Sequence, residues 1–138
     1  MRIEGLNEFR NSLKRYAEKF PKETSDAIKE EGFNLQAMAK SDAPVDTGKL
    51  VQSINLEIED EGFTAKVTAN VPYAPYVEFG TGGEVQVPDG WEEIAAQFKG
   101  KGIRTINMKP QPYLIPNFVK VRRRLTERIR KKIGDFGR

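Results

Sequence analysis

At 138 residues, with 38% hydrophobic, 31% charged and 9% aromatic side chains, the chain has the length and make-up of one soluble globular domain with a modest core. It contains no Cys and no His, which excludes disulfides, thiol nucleophiles and Cys-held zinc and removes the usual general base, so most enzyme classes are disfavoured and no metal or cofactor is expected. The net charge of +3 hides a polarity: residues 117–138 carry nine Lys and Arg against two acids, and residues 1–116 carry fourteen against eighteen.

Leu6, Phe9, Leu13, Tyr16, Ala17 and Phe20 recur at steps of three and four, which predicts an amphipathic helix. Pro21 either kinks it or opens a second helix, whose stripe of Ala27, Ile28, Leu35, Met38 and Ala39 runs to Ala43. Pro44 disfavours helical geometry at Ala43 and places the stop there. Asp46 or Thr47 then caps a short turn leading to Leu50.

Ile54, Leu56 and Ile58 alternate with Asn55, Glu57 and Glu59, the pattern of a half-buried strand. After the turn Asp60-Glu61-Gly62, the residues Phe63, Ala65, Val67 and Ala69 alternate as its antiparallel partner. A third extended stretch is predicted from Tyr73 to Phe79, with Pro72 and Pro75 marking an edge. Six glycines then punctuate a segment too long for an ordinary connection, in which Trp91, Ile94, Ala95 and Phe98 suit a short helix and offer Trp91 and Phe98 as partner anchors. Beyond Pro110, Pro112 and Pro116, a final helix is striped by Phe118, Val121, Leu125, Ile129 and Ile133.

The expected organisation is therefore a single α+β domain over residues 1–138. N-terminal helices (1–43) pack on a small antiparallel sheet (44–81), followed by a long Gly-rich loop (82–109) and a Pro-rich entry to a basic C-terminal helix (110–138). No stretch approaches the roughly 18 apolar residues of a membrane span, and residues 1–11 lack the apolar core of an export signal, so no membrane partner is expected.

Few residues point to chemistry. Gly48-Lys49 is not a phosphate loop, because Ala43 and Leu50 stand where a Gly and a Ser or Thr are required. Asp42, Asp46 and Glu78 are the carboxylates a metal site would draw on. Glu78, between Val77 and Phe79, reads first as one half of a salt bridge to an Arg, on a strand face or at an interface. The basic run containing Arg122, Arg123, Arg124, Arg128, Arg130 and Lys131 fits three roles: a solvated helix face, phosphate contacts with DNA, or pairing with the acidic body of a neighbouring subunit.

Three local motifs go further. Ala43-Pro44-Val45-Asp46-Thr47-Gly48-Lys49-Leu50, followed by Ser53-Ile54, resembles a signature of a tailed-phage family of minor neck and tail components. Tyr73-Ala74-Pro75-Tyr76-Val77-Glu78-Phe79-Gly80-Thr81 is similar to that family's second block, and Pro110-Gln111-Pro112-Tyr113-Leu114-Ile115-Pro116 to the run before its last helix. Tyr113 stands where the family often has Phe, and Asn117 where a small residue is usual. The resemblance implies a non-enzymatic virion protein, made in the host cytoplasm from a phage or prophage. It implies a ring, commonly hexameric, around the DNA channel at the neck or tail end, in contact with other neck and tail proteins. Pro44, Asp46, Thr47, Gly48, Leu50, Ser53, Tyr73, Tyr76, Glu78, Phe79, Gly80, Thr81, Pro112 and Pro116 would then serve fold and assembly rather than catalysis.

Overall fold

The computed structural model describes residues 4–87, 89, 90, 92, 96 and 105–135. Its first element, helix α1, runs without interruption from Leu6 to Asp42, with Pro21 inside it. The two helices expected around Pro21 are one. At 1.5 Å per residue the 37 residues reach about 55 Å. Proline in a helix interior costs about 3 kcal/mol. Downstream of it, Ala27, Leu35 and Ala39 are buried and anchor the helix on the rest of the fold. Upstream of it, Tyr16 and Phe20 stack with ring centroids 4.9 Å apart.

The helix stops where Pro44 requires. Ala43 is extended (φ −64°, ψ 133°), and its N–H donates to the Ala39 carbonyl. A one-turn helix, α2 (Lys49–Ser53), leads into β1 (Ile54–Glu59), which pairs antiparallel with β2 (Thr64–Ala69). The register sets Ile54 against Ala69, Leu56 against Val67 and Ile58 against Ala65, so the alternation read from the sequence forms one continuous apolar face. That face lies on α1 so closely that a Cβ on Gly32 would stand 2.7 Å from the Ala65 Cβ and 3.1 Å from Leu56 Cδ1.

Phe63 departs from the expected alternation. The tight 3₁₀ turn Asp60–Gly62 holds Asp60 (φ 52°) and Glu61 (φ 57°) left-handed, so β2 begins only at Thr64 and Phe63 stays exposed. Asp60 is held by the Thr64 hydroxyl, which donates to its carboxylate at 2.6 Å.

The third strand expected at Tyr73–Phe79 is a helix, α3 (Ala74–Phe79), with Pro75 in its first turn. Tyr73 and Val77, and Ala74 and Glu78, are buried as pairs four residues apart. That is a helical period and not an alternation, and a first-turn proline supports it. The long segment that follows is tied at its base by a two-residue ladder, β3 (Val85–Gln86) with β4 (Thr105–Ile106). The Thr81 N–H also donates to the Met108 carbonyl at 3.1 Å. The helix expected around Trp91, Ile94, Ala95 and Phe98 lies outside the described residues.

The last helix, α4 (Ile115–Gly134), returns along α1. Of its expected stripe Val121 is buried and Leu125 and Ile129 are half-buried, whereas Phe118 and Ile133 are exposed. The core gathers Ala39, Ala43, Leu50, Ile54, Tyr73, Ala74, Val77, Ile106, Met108 and Tyr113, at the end of α1 where α2, α3, β4 and the entry to α4 converge.

Gly32→Ala tests the helix–hairpin contact. Overpacking against a Cβ that cannot swing away costs about 1–3 kcal/mol, and the better helix former returns up to about 1 kcal/mol. A net loss of about 1 kcal/mol is expected, read as a lower thermal midpoint; a raised midpoint would show that the hairpin rides further from α1.

Candidate functional site

The three sequence motifs meet at the junction of α1, α3 and α4. Glu78 holds it together. Its side chain is buried, and among the described residues it is in no ion pair with an arginine. Instead the carboxylate accepts the backbone N–H groups of Tyr113 (2.9 Å), Leu114 (3.0 Å) and Ile115 (2.8 Å). These donors open α4, where no helical carbonyl is available to receive them. The next residue, Pro116, has no N–H to satisfy. A carboxylate supplied from α3, 35 to 37 residues away, thus caps α4 and complements the positive end of its dipole. The expected salt bridge to an arginine is replaced by this cap, because α3 is helical and turns Glu78 inward beside Ala74.

Asn117, the unusual residue after Pro116, is 1% exposed. Its side-chain amide donates to the Asp42 carboxylate (2.7 Å) and to the Tyr113 carbonyl (2.8 Å), clamping the end of α1 to the start of α4. Tyr113 fills the space between. Burial first, then the negative charge of Glu78 and the neighbouring Tyr73, push its phenol up to about 12. Burial likewise raises Tyr73. A raised phenol stabilises the fold below pH 10, and that contribution is lost as pH rises through 10 towards 12. Ultraviolet titration is therefore expected to show one of the four tyrosines ionising near pH 12, coincident with alkaline unfolding; four tyrosines titrating together near pH 10 would contradict the buried phenol.

The first motif surrounds α2. Gly48, left-handed at φ 77°, is itself the residue before the helix, and its carbonyl accepts the Gln52 N–H. Gly48 has no side chain to cap α2, but of the expected pair the Thr47 hydroxyl accepts the N–H of Lys49, the first residue of the helix, at 3.5 Å. Asp46 is exposed. Leu50 and Ile54 enter the core, and the Ser53 hydroxyl closes α2 by donating to the Leu50 carbonyl at 2.7 Å. Residues 44–50 with Tyr73 and Gln111 line an open cleft of about 310 Å³.

From the second motif, Tyr76 and Phe79 point outward, 46% and 65% exposed. Gly80 (φ 72°, ψ −178°) passes so close to Met108 and Pro110 that a Cβ there would sit 2.7 Å from the Met108 carbonyl oxygen. The Thr81 hydroxyl accepts the Met108 N–H at 3.0 Å. Pro112 and Pro116 are exposed and flank Tyr113. Trp91 and Phe98 lie outside the described residues.

Asp42, Asp46 and Glu78 do not converge on a cation position. Glu78 is taken up by backbone donors and Asp42 faces Asn117, and among the described residues no group of three or more acidic side chains is placed to hold a metal.

The basic run divides. Arg124 approaches Glu31 with Nε at 3.0 and 2.9 Å and Nη2 at 2.6 Å. Arg128 Nη1 reaches Glu31 at 2.8 Å, and its Nη2 reaches Glu30 at 2.8 Å. One turn on, Lys132 donates to Glu23 at 3.1 Å. The Glu31 side chain is 3% exposed. Burial alone would raise its pKa, but hydrogen bonds from Arg124 and Arg128 outweigh it and hold the carboxyl below its ordinary range. Part of the basic face is thus spent on this chain's own α1. Arg123 pairs along the helix with Glu127, while Arg122, Arg130 and Lys131 are exposed and in no ion pair among the described residues.

Sequence reasoning missed Glu31 and Asn117. For Glu31 a signal existed: Ala27, Glu31, Leu35 and Ala39 are spaced by four, so an acid stands in the buried stripe, opposite arginines themselves four apart.

No curated protein and no solved structure matches the chain. Among protein families, residues 7–80 match the HK97-gp10-like family, described as "Bacteriophage HK97-gp10, putative tail-component". This stretch takes in almost all of α1, the hairpin, the first motif and the second as far as Gly80. With more than half of its 138 residues inside the match, the chain belongs to this family of bacteriophage tail components.

Proposed function

We propose that the protein is a structural component of the neck or tail end of a long-tailed phage or prophage, assembled there as a ring, with six subunits as the expected number. It is made in the host cytoplasm, carried in the virion and contacts other neck and tail proteins, and it performs no catalysis. The family match over residues 7–80 carries this reading. The geometry supports it: the motif residues are spent on joining α1, α3 and α4, while Tyr76 and Phe79 of the same motif face outward, available to neighbours. Disrupting the gene and imaging the lysate by electron microscopy tests it. Filled heads beside separate tails, or tails with abnormal ends, are expected; normal yields of intact infectious particles would overturn it.

A second reading, a DNA-binding accessory protein, is favoured only by exposed Arg122, Arg130 and Lys131. Removing α4 is no test of it, since that also removes Asn117 and Val121 from the interior. Replacing the three cations by Gln is the informative change. If they meet phosphates, binding weakens and the slope of log affinity against log salt falls by about 0.9 for each phosphate left without its cation; no binding by the parent at low salt would dismiss this reading.

A further inference from the structure

The β1–β2 hairpin is a sheet of two strands, and among the described residues no third strand joins it. Which backbone groups this leaves open follows from one bond. The Asn70 N–H donates to the Ser53 carbonyl at 3.1 Å, one step beyond the Ile54–Ala69 pair. Hydrogen-bonded pairs alternate along an antiparallel ladder, so 55–68, 57–66 and 59–64 are the pairs that exchange bonds. The N–H and C=O groups of Ile54, Leu56 and Ile58 then point away from β2, and those of Ala65, Val67 and Ala69 away from β1. The Ile54 carbonyl agrees with this direction, since it accepts the side-chain amide of Gln36 on α1 at 3.1 Å. Beyond that point, no hydrogen bond among the described residues reaches the outward groups of Leu56, Ile58, Ala65 or Val67.

Both edges are fit to pair. Neither strand holds a proline or a bulge, two of the usual devices that blunt an edge. Leu56 and Ala65 lie on the face towards α1, so the charged Glu57, Glu59 and Lys66 stand on the opposite face. These charges select the partner. Outward groups bond only to outward groups, which sets Glu57 and Glu59 level with the α1-averted face of any strand they meet. Against β1 of another copy they stand opposite its acids or Asn55. Against β2 they stand opposite Thr64, Lys66 and Thr68, as they do within the hairpin, where Lys66 lies 4.0 Å from Glu57. Like charges directly opposite destabilise a strand pair, and opposite charges support it. Two like edges also pair about a two-fold axis, which leaves the resulting dimer with two open edges.

We propose that β1 of one copy pairs antiparallel with β2 of a second copy, through residues 55–59 of the one and 64–68 of the other. Each hairpin gives one edge and takes one, so the order β1-β2-β1-β2 continues from copy to copy. A closed ring built this way has no open edge. The α1 helices then lie on one face of the shared sheet, and the other is polar, with Asn55, Glu57, Glu59, Thr64, Lys66 and Thr68. This deepens the ring reading above and rests on it.

The chain has no Cys, so introduced thiols are the only ones. Asn55→Cys and Thr68→Cys, which leave every charge in place, would be made singly in the full chain. Each alone, and an equimolar mixture, would be treated at high protein concentration with a short bis-maleimide. The mixture is expected to give a cross-linked dimer well above either variant alone, whose thiols on neighbouring copies are two strands, about 10 Å, apart. As much dimer from Asn55→Cys alone would overturn the proposal in favour of like edges, and no dimer in the mixture would overturn it outright. Sedimentation of the parent separates this failure from that of the ring: an oligomeric parent without a mixed dimer keeps the ring on another surface. Ile58→Pro, added to the Asn55→Cys copy, removes one outward N–H and none of the hairpin's own donors. It should cut the mixed dimer roughly tenfold, and Ile58→Ala, which keeps the N–H, should cut it much less. Equal yields would show that the strand backbone is not the contact. Amide exchange of the unaltered parent gives the same answer without a substitution. The Leu56 and Ile58 amides should exchange more slowly as protein concentration rises, and no slowing would overturn the proposal.

Discussion

Glu78→Ala is expected to destabilise the protein by about 3 kcal/mol, a large share of the roughly 5–15 kcal/mol available to a domain of this size. The substitution orphans three N–H donors at once, those of Tyr113, Leu114 and Ile115. Each unsatisfied buried donor costs about 1–3 kcal/mol, and the half-buried Leu114 and exposed Ile115 regain water, which keeps the sum near the lower end. The start of α4 also loses the negative charge that complements its dipole. Glu78→Gln keeps an acceptor oxygen and the shape, and about half the loss is expected. Urea midpoints ordered parent, Gln, Ala from most to least stable would bear this out. The Gln variant has a further signature: without the nearby negative charge, Tyr113 should ionise below its value of about 12. If Ala and Gln unfold with the parent, the carboxylate is not what holds α4 in place.

The second large effect is expected at Glu31. Glu31→Gln leaves the Arg124 and Arg128 guanidiniums side by side without their shared anion, although Arg128 keeps Glu30. Breaking a fully buried ion pair costs about 3–5 kcal/mol. Here the guanidiniums are 47% and 34% exposed and turn to water, so about 2 kcal/mol is expected for the loss of Glu31. The pH dependence carries the sign. A carboxyl whose folded pKa is held below the ordinary 4.5 stabilises the fold above that value and loses its contribution as pH falls through the lower folded value. The gap between parent and Glu31→Gln should therefore be full at neutral pH and narrow in acid. A gap that stays constant from pH 7 to pH 3 would mean that the effect comes from packing rather than charge.

Both residues matter through partners far away in the chain, and that separates what was legible in the sequence from what was not. The hairpin was legible because its alternation of Ile54, Leu56 and Ile58 against Ala65, Val67 and Ala69 is local, and one register brings both apolar sets to the same face of the sheet. The end of α1 at Ala43 was legible because Pro44 acts on its immediate neighbour. The family, too, was readable from the motifs around residues 43–54 and 73–81. The segment Tyr73–Phe79 was misread because prolines next to aromatic and branched residues suit a strand edge and a first helical turn equally, and only packing on Tyr113 and Ile54 decides. Phe63 was misread because the left-handed pair Asp60 and Glu61 lengthens the turn by one residue.

By itself, then, the sequence determined where elements begin, which faces are apolar, that cysteine and histidine chemistry is absent, and that the chain carries the marks of a phage tail component. The tertiary structure alone decided that Pro21 sits inside one helix, that Glu78 caps a helix rather than meeting an arginine, and that Arg124 and Arg128 are spent within the chain. Each of those outcomes depends on which surface is brought against a residue from elsewhere, 35 residues away for Glu78 and 93 for Glu31. Periodicity records that a face is buried but not what is buried against it, and the free energy of a charged side chain is set by that partner.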